Sequence, residues 1–240
     1  MVIRIAREIA ANLLMGVPSI AKRRIAAGRT SLPPTEANLR RFAFGIVDDN
    51  PAIAARVSGA DVCEIGPGDH LATGLVLLGA GAKSYTVVDR FPGDYFGPDA
   101  QAWYAAVREA RPTDADIRAV HAIPAAIENV AALPTDAFDL VISQAVGEHV
   151  TCIDAFTKAT AKMLRPGGVA VHNVDFSNHG LLDGDEFLSV PETVWRWMGS
   201  NRGLPNRKRK ADFLAAFAPY FNTTIAAQTP TWASFLLTKR

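Results

Sequence analysis

With 240 residues, 49% hydrophobic and 20% charged, the chain can bury a sizeable core, which excludes a disordered polypeptide. Its 25 basic and 24 acidic residues leave a formal net charge of +1, so no global field draws it to nucleic acid or an anionic membrane. Any basic preference has to be local. Cys63 and Cys152 follow neither a disulfide-framework nor a metal-ligand spacing; they read as reduced packing residues, which suits the cytoplasm.

The N-terminal stretch opens like a signal peptide, yet Arg4, Arg7 and Glu8 interrupt it. Ile3, Ile5, Ile9, Leu13 and Leu14 recur at roughly helical spacing, which predicts an amphipathic helix that packs on the domain or covers a partner, as in a homodimer. No run is long and apolar enough to span a bilayer. "TSLPPTEAN" reads as a linker, with Thr35 as N-cap of a second helix.

Strands and helices then alternate. "ADVCEIG" is a strand, "HLATGLVLLGAGA" a helix, "SYTVVDR" a strand ending on an acid, and "QAWYAAVREAR" a helix. "DIRAVHAI" is strand-like and "AAIENVAAL" helical; "FDLVISQA" is the next strand, before "CIDAFTKATAKMLRPGG", a helix closed by Pro-Gly-Gly, and the strand "VAVHNVDF". This alternation predicts a parallel sheet with right-handed crossovers and helices on both faces. After the helix "KADFLAAFAPYF", the strands "NTTIAAQ" and "WASFLLTK" are joined by only "TPT", too short for a crossover, so they pair antiparallel.

"CEIGPGDH" follows the first strand, and its Gly66 and Gly68 allow a tight turn and a close approach of backbone to ligand. A dinucleotide fingerprint needs a third glycine where Leu71 stands, and acidic Glu64 and Asp69 flank the turn, so a phosphate-bearing cofactor is disfavoured. Twenty-one residues past Gly68, Asp89 ends the second strand, where a carboxylate accepts ribose hydroxyls.

This combination resembles the class I S-adenosylmethionine-dependent methyltransferases, as do "FDLVISQAVGEHV" and "LRPGGVAV", over roughly residues 60 to 175. The resemblance implies a Rossmann-like, seven-stranded, mostly parallel sheet with a C-terminal antiparallel hairpin strand. It implies a helical extension at 1–50 and a methyltransferase domain at 51–240, with an insertion at 176–206 capping the substrate side. Glu64 would orient the glycine loop, with Gly66, Pro67 and Gly68 against the methionyl part of S-adenosylmethionine. Asp89 would hold the ribose, Arg90 and Phe91 would lie beside the adenosine, Ile123 near the adenine edge, and Ser143 at the end of the fourth strand. "HAIPAAIE" lacks the family's usual acid at the adenine contact.

A carbon acid or an alcohol has to lose a proton during methyl transfer, whereas a neutral amine does not, so a candidate base matters. His149 and His179 come just past the fourth and fifth strands, where open α/β sheets put their ligands, with Glu148 and Asp175 near them. His149 is the first-choice base, with His179 and Asp175 beside it; His172 inside the fifth strand reads as packed. A divalent cation on Asp175 and His179 is the rival reading, although the spacing matches no tight ligand motif.

The stretch from Arg196 to Lys210 holds six Arg or Lys residues in fifteen positions, beside Trp195 and Trp197. With "HNVDFSNHG" before it, this passage resembles methyltransferases found with bacterial polysaccharide biosynthesis, through Asp175, His179, Trp195, Ser200, Asn201, Arg202, Asn206, Arg207 and Arg209. That resemblance implies a sugar hydroxyl as acceptor, a ring stacked on Trp195 or Trp197, and Asn201 and Arg202 on substrate hydroxyls or phosphate. Methylation of another small molecule at oxygen or nitrogen, and a non-catalytic S-adenosylmethionine-binding protein, are the alternatives. A nucleic-acid substrate is disfavoured, because no Asn/Asp-Pro-Pro-aromatic motif follows the fourth strand.

Overall fold

The computed structural model describes residues 2–17, 19–20, 32–179, 182, 186–199 and 204–240. Helix α1 (Val2–Met15) precedes α2 (Glu36–Leu39), which runs through a π-helical turn (Arg40–Phe44) into α3 (Gly45–Asp48). The Thr35 hydroxyl caps α2 by accepting from Asn38 N at 3.3 Å. The remaining elements are α4 (Pro51–Ala54), β1 (Asp61–Ile65), α5 (Ala72–Gly79), β2 (Ser84–Val88), α6 (Pro98–Ala110), β3 (His121–Ile123) and β4 (Phe138–Gln144). They continue through α7 (Ile153–Met163), β5 (Leu164–Asp175), α8 (Glu186–Ser189), α9 (Glu192–Gly199), α10 (Lys210–Phe217), β6 (Phe221–Thr229) and β7 (Trp232–Lys239).

The seven strands form one sheet in the order β3-β2-β1-β4-β5-β7-β6. Pairing is parallel from β3 through β5, and antiparallel for β5 with β7 and for β6 with β7. The fold expectation therefore holds, including the closing hairpin. Strand order reverses between β1 and β4, which opens a crevice beyond their C-terminal ends.

Period-two alternation divides the core between the faces. Val62, Leu140, Ile142 and Val171 pack with Leu75, Trp103 and Tyr104 on one side, and Cys63, Val141 and Ala170 pack with Phe156, Phe213 and Phe217 on the other. Each fully buried Val, Leu, Ile or Phe among these contributes about 1.5–3 kcal/mol. A third, smaller cluster of Leu182, Phe187, Val190, Trp195 and Met198 is covered by Ile5 and Ile9 of α1. Asn12 Nδ2 donates to Trp197 O at 2.9 Å, fixing α1 on α9. The other members of the predicted stripe, Ile3, Leu13 and Leu14, are exposed.

Three local expectations are corrected. "AAIENVAAL" is no crossover helix but holds one 3₁₀ turn (Val130–Ala132), between Pro124 and Pro134, which cannot donate to a helix ladder. His121 begins β3, which is three residues long. The Pro-Gly-Gly does not close α7 but lies within β5, which starts at Leu164. Arg165 precedes Pro166, a position biased to extended backbone.

Candidate active site

β1 ends at Ile65, and Gly66 (φ +63°) and Gly68 (φ +81°) turn the chain through left-handed backbone. A Cβ on Gly66 would lie 2.7 Å from Val146 Cγ2, so the glycine loop touches the segment that follows β4. Leu71, at the third glycine position, is buried, and its N–H donates to Tyr104 Oη at 3.0 Å. The close helix–strand approach occurs instead at Gly74 of α5, where a Cβ would meet the Tyr85 ring at 2.3 Å. Sequence reasoning missed this position, although a mid-helix glycine was the signal.

The Tyr85 hydroxyl donates to Glu64 Oε2, so Glu64 is held inside the sheet beneath the loop. Burial pushes the Glu64 pKa up to about 7, the Tyr85 bond opposing the rise and the Asp89 charge adding to it. His70 stacks on Trp103 with centroids 3.8 Å apart, and burial pushes its pKa down to about 4. It is a neutral packing ring.

Asp89 follows β2, 6% exposed, and its Oδ1 accepts from Phe91 N at 2.7 Å. Its Oδ2 is buried without a hydrogen bond, which is costly unless a ligand donates to it. The loop beyond folds back on the glycine turn: a Cβ on Gly93 would sit 3.2 Å from Gly68 O. Arg90 is exposed, its guanidinium 5.0 Å from the centroid of the half-exposed Phe91 ring. Ile123 O accepts from Asp89 N at 3.2 Å, joining the ends of β2 and β3. A glycine turn open at Gly68 and an unpaired carboxylate oxygen on Asp89 fit a ligand that brings hydroxyl donors. Ser143 does not join them: it is fully buried, with Oγ 2.8 Å from His172 Nδ1.

Beyond β4, Ala145 adopts φ +53°, and a 3₁₀ turn (Gly147–His149) carries Glu148 and His149. Asp175 ends β5, and His179, also at φ +53°, follows it. Left-handed backbone at two non-glycine residues is strain of the kind that gathers at functional sites. The two imidazoles meet edge to face with centroids 5.0 Å apart. His179 Nε2 lies 4.0 Å from Glu148 Oε1 and 3.9 Å from Asp175 Oδ2. His149, His179 and Asp175 are thus brought together as expected, but the best-sheltered group is Glu148, 3% exposed.

Neither Glu148 carboxylate oxygen completes a hydrogen bond. Burial pushes its pKa up to about 8; the backbone N–H groups of Glu148 and Asp175 are near enough to pull it partly back, and the Asp175 charge raises it. Sequence reasoning gave Glu148 only a neighbour's place, although "GEHV" set an acid directly beside the histidine.

The expected substrate residues fare differently. Trp195 is buried in the third cluster, its Nε1 donating to Pro205 O at 2.9 Å, so it has no face for a sugar ring. Trp197, two residues on, is 67% exposed. Asn201 and Arg202, like Ser200, lie outside the described residues. The basic cluster serves the fold: Arg207 bonds to Val190 O and Glu192, Arg209 to Phe176 O at 3.0 Å, and Lys210 to Gln228 at 2.6 Å. Arg207 and Arg209 precede α10, Lys210 is its first residue, and Asp212 caps the helix by accepting from Arg209 N at 2.7 Å. Asn206 Nδ2 donates to Gly147 O at 2.8 Å and Val150 O at 3.0 Å, bracing the turn of Glu148 and His149.

Residues 71–172 match the family model of the methyltransferase domain. No protein of curated function matches the sequence. Among solved structures, an S-adenosylmethionine-dependent methyltransferase from Mesorhizobium loti is similar over 79% of this chain and 96% of its own, at 18% identity and a TM-score of 0.53. A candidate sarcosine dimethylglycine methyltransferase from Galdieria sulphuraria is similar over 85% of this chain and 87% of its own, at 12% identity and a TM-score of 0.56. A protein from Pyrococcus horikoshii OT3 covers 86% and is covered over 99%, at 13% identity and a TM-score of 0.53. At such identities the likeness is one of fold.

Proposed function

We propose an S-adenosylmethionine-dependent O-methyltransferase that acts on a hydroxyl of a sugar or polysaccharide precursor, a reading supported by the match of residues 71–172 to the methyltransferase domain and by the likeness of fold. The observation that carries the O-methyl reading is the convergence of Glu148, His149, Asp175 and His179 beyond β4 and β5, next to the glycine loop. An alcohol has to lose a proton as its oxygen becomes a nucleophile, and this cluster is equipped to take one. A neutral amine acceptor needs no such base.

S-adenosylmethionine supplies a methyl group on a sulfonium, displaced in line by the acceptor. In this reading Gly66, Pro67 and Gly68 bind its methionyl part, Asp89 Oδ2 accepts from the ribose, and Arg90, Phe91 and Ile123 flank the adenosine. His149 takes the acceptor's proton, and Asp175 and Glu148 steady His179 beside it. The sugar is supported by the sequence likeness of the passage from His172 to Arg209 to enzymes of polysaccharide biosynthesis, and by the exposed Trp197. Another small-molecule acceptor fits the same cluster equally. A cytoplasmic location is supported by the unpaired cysteines, and no helix among the described residues is long and apolar enough to cross a membrane.

The test is methyl-labelled S-adenosylmethionine offered with a panel of mono- and oligosaccharides and, separately, with amines and non-sugar alcohols. Label in a sugar oxygen supports the proposal. Label only in amines overturns the hydroxyl reading, and label only in non-sugar alcohols overturns the sugar. Cofactor binding without turnover on any acceptor returns the chain to the non-catalytic alternative.

A further inference from the structure

We propose that Glu148, His149 and His179 form a site for one divalent transition-metal ion, of the Mn²⁺ or Zn²⁺ class, which binds and acidifies the acceptor hydroxyl. One ligand atom from each of these residues lies within 4.8 Å of the other two. The separations, 4.0 Å from His179 to Glu148 and 3.9 Å from His179 to Asp175, are too long for direct hydrogen bonds. They suit groups around a shared ion: bonds of about 2.1 Å to a tetrahedral centre set neighbouring ligands about 3.4 Å apart. Side-chain torsions close the remaining gap.

The second observation is Glu148 itself. Its carboxyl is 3% exposed, both oxygens lack a hydrogen bond, and it faces an imidazole. An ionised carboxylate buried this way is costly, and a dipositive ion removes that cost directly. The mixed donor set chooses the class of ion, because Mg²⁺ and Ca²⁺ prefer oxygen throughout, whereas imidazole suits Zn²⁺ and its transition-row neighbours. Asp175, 3.9 Å from His179, is placed to orient that imidazole or to join as a fourth ligand. The left-handed backbone of His179 and the Asn206 brace hold the two halves of the site on separate strand ends.

Three protein ligands leave one position of a tetrahedral ion open to substrate, and expansion to five-coordination opens a second. Two adjacent hydroxyls fill such positions as a chelate, so the acceptor class is a vicinal diol, and the ion lowers the pKa of the bound hydroxyl. This role rests on the O-methyl reading above: His149 then serves as a ligand rather than as the base, and the proton of the acidified hydroxyl passes to solvent water. The metal site itself stands on the three side chains alone.

The full-length protein, stripped with a chelator, is titrated calorimetrically with Mn²⁺ and Zn²⁺ in turn, and bound metal is counted by mass spectrometry. One ion per chain is expected, with Glu148→Gln and His179→Ala each weakening binding at least 100-fold while circular dichroism stays unchanged. His121→Ala, on an exposed histidine of β3, binds as wild type. No ion on wild type, or binding indifferent to both cluster variants, overturns the site. Co²⁺ substitution gives a second readout, visible ligand-field bands that vanish in His179→Ala. Sugar methylation that persists undiminished in chelator overturns the catalytic ion and keeps the O-methyl reading. Metal binding with label entering only amines overturns the O-methyl reading and the ion's catalytic role with it, and keeps the metal site.

Discussion

Asn206 Nδ2 donates to the Gly147 carbonyl at 2.8 Å, and through that bond the basic segment before α10 holds the turn of Glu148 and His149. The same amide group reaches Val150 O at 3.0 Å, and Asn206 N donates to Glu148 O. Replacing Asn206 by Ala removes both of these side-chain bonds and the one its Oδ1 accepts from Lys208 N at 3.0 Å, at a cost of about 1–3 kcal/mol. Methyl-transfer kcat should fall with S-adenosylmethionine affinity retained, because the glycine loop and Asp89 are untouched. Urea denaturation read beside kinetics and cofactor titration checks this; equal losses in affinity and kcat would contradict it.

The two tryptophans should separate cleanly. Trp195→Ala empties a buried site lined by Phe187 and the Arg207 guanidinium and removes the bond to Pro205, a truncation of the class costing about 3–5 kcal/mol. Trp197→Ala, on an exposed side chain, should stay within about 0.5 kcal/mol of wild type in stability. If Trp197 stacks on the acceptor, its KM rises while the fold is unchanged. Thermal unfolding and substrate titration of both variants decide it.

What the sequence revealed follows from what is local in it. The alternation of β1, α5, β2 and α6, the short "TPT" between β6 and β7, and the two glycines after β1 each carry their reason within a few residues. His149 and His179 were placeable because adjacent parallel strands bring their C-terminal ends together. The fate of Trp195, Arg207 and Arg209 was not legible: their partners are carbonyls of Pro205, Val190 and Phe176, which no side-chain pattern encodes. Ser143 likewise sat at the expected strand end, but its partner, His172, lies one strand over in register.

Asp89 gives a direct test of the cofactor side. Asp89→Ala removes the unpaired Oδ2 and should weaken S-adenosylmethionine binding about 10- to 100-fold, the range for a lost hydrogen bond to a charged group. Asp89→Asn keeps an oxygen for Phe91 N but presents an amide donor to the ribose, so it should be nearly as damaging. Calorimetric titration measures both. Wild-type affinity in Asp89→Asn would mean that the Oδ2 acceptor plays no part.

Glu64 predicts a stability profile with a definite sign. Its folded pKa of about 7 stands above the ordinary 4.5, so between those values the folded chain holds a proton that the unfolded chain has lost. The resulting stabilisation is complete below pH 4.5 and disappears as pH rises to 7, a loss of about 3 kcal/mol at 1.36 kcal/mol per unit. Glu64→Gln stays neutral and offers its amide oxygen to the Tyr85 hydroxyl, so it lacks this decline. Every other titrating group is common to both proteins, and the difference in unfolding free energy isolates Glu64. Denaturation at pH 5 and pH 8.5 should show the variant gaining on wild type with rising pH; parallel profiles would mean that Glu64 is already ionised in the fold. Tyr85→Phe, which removes the hydroxyl that favours the carboxylate, should move the decline to higher pH.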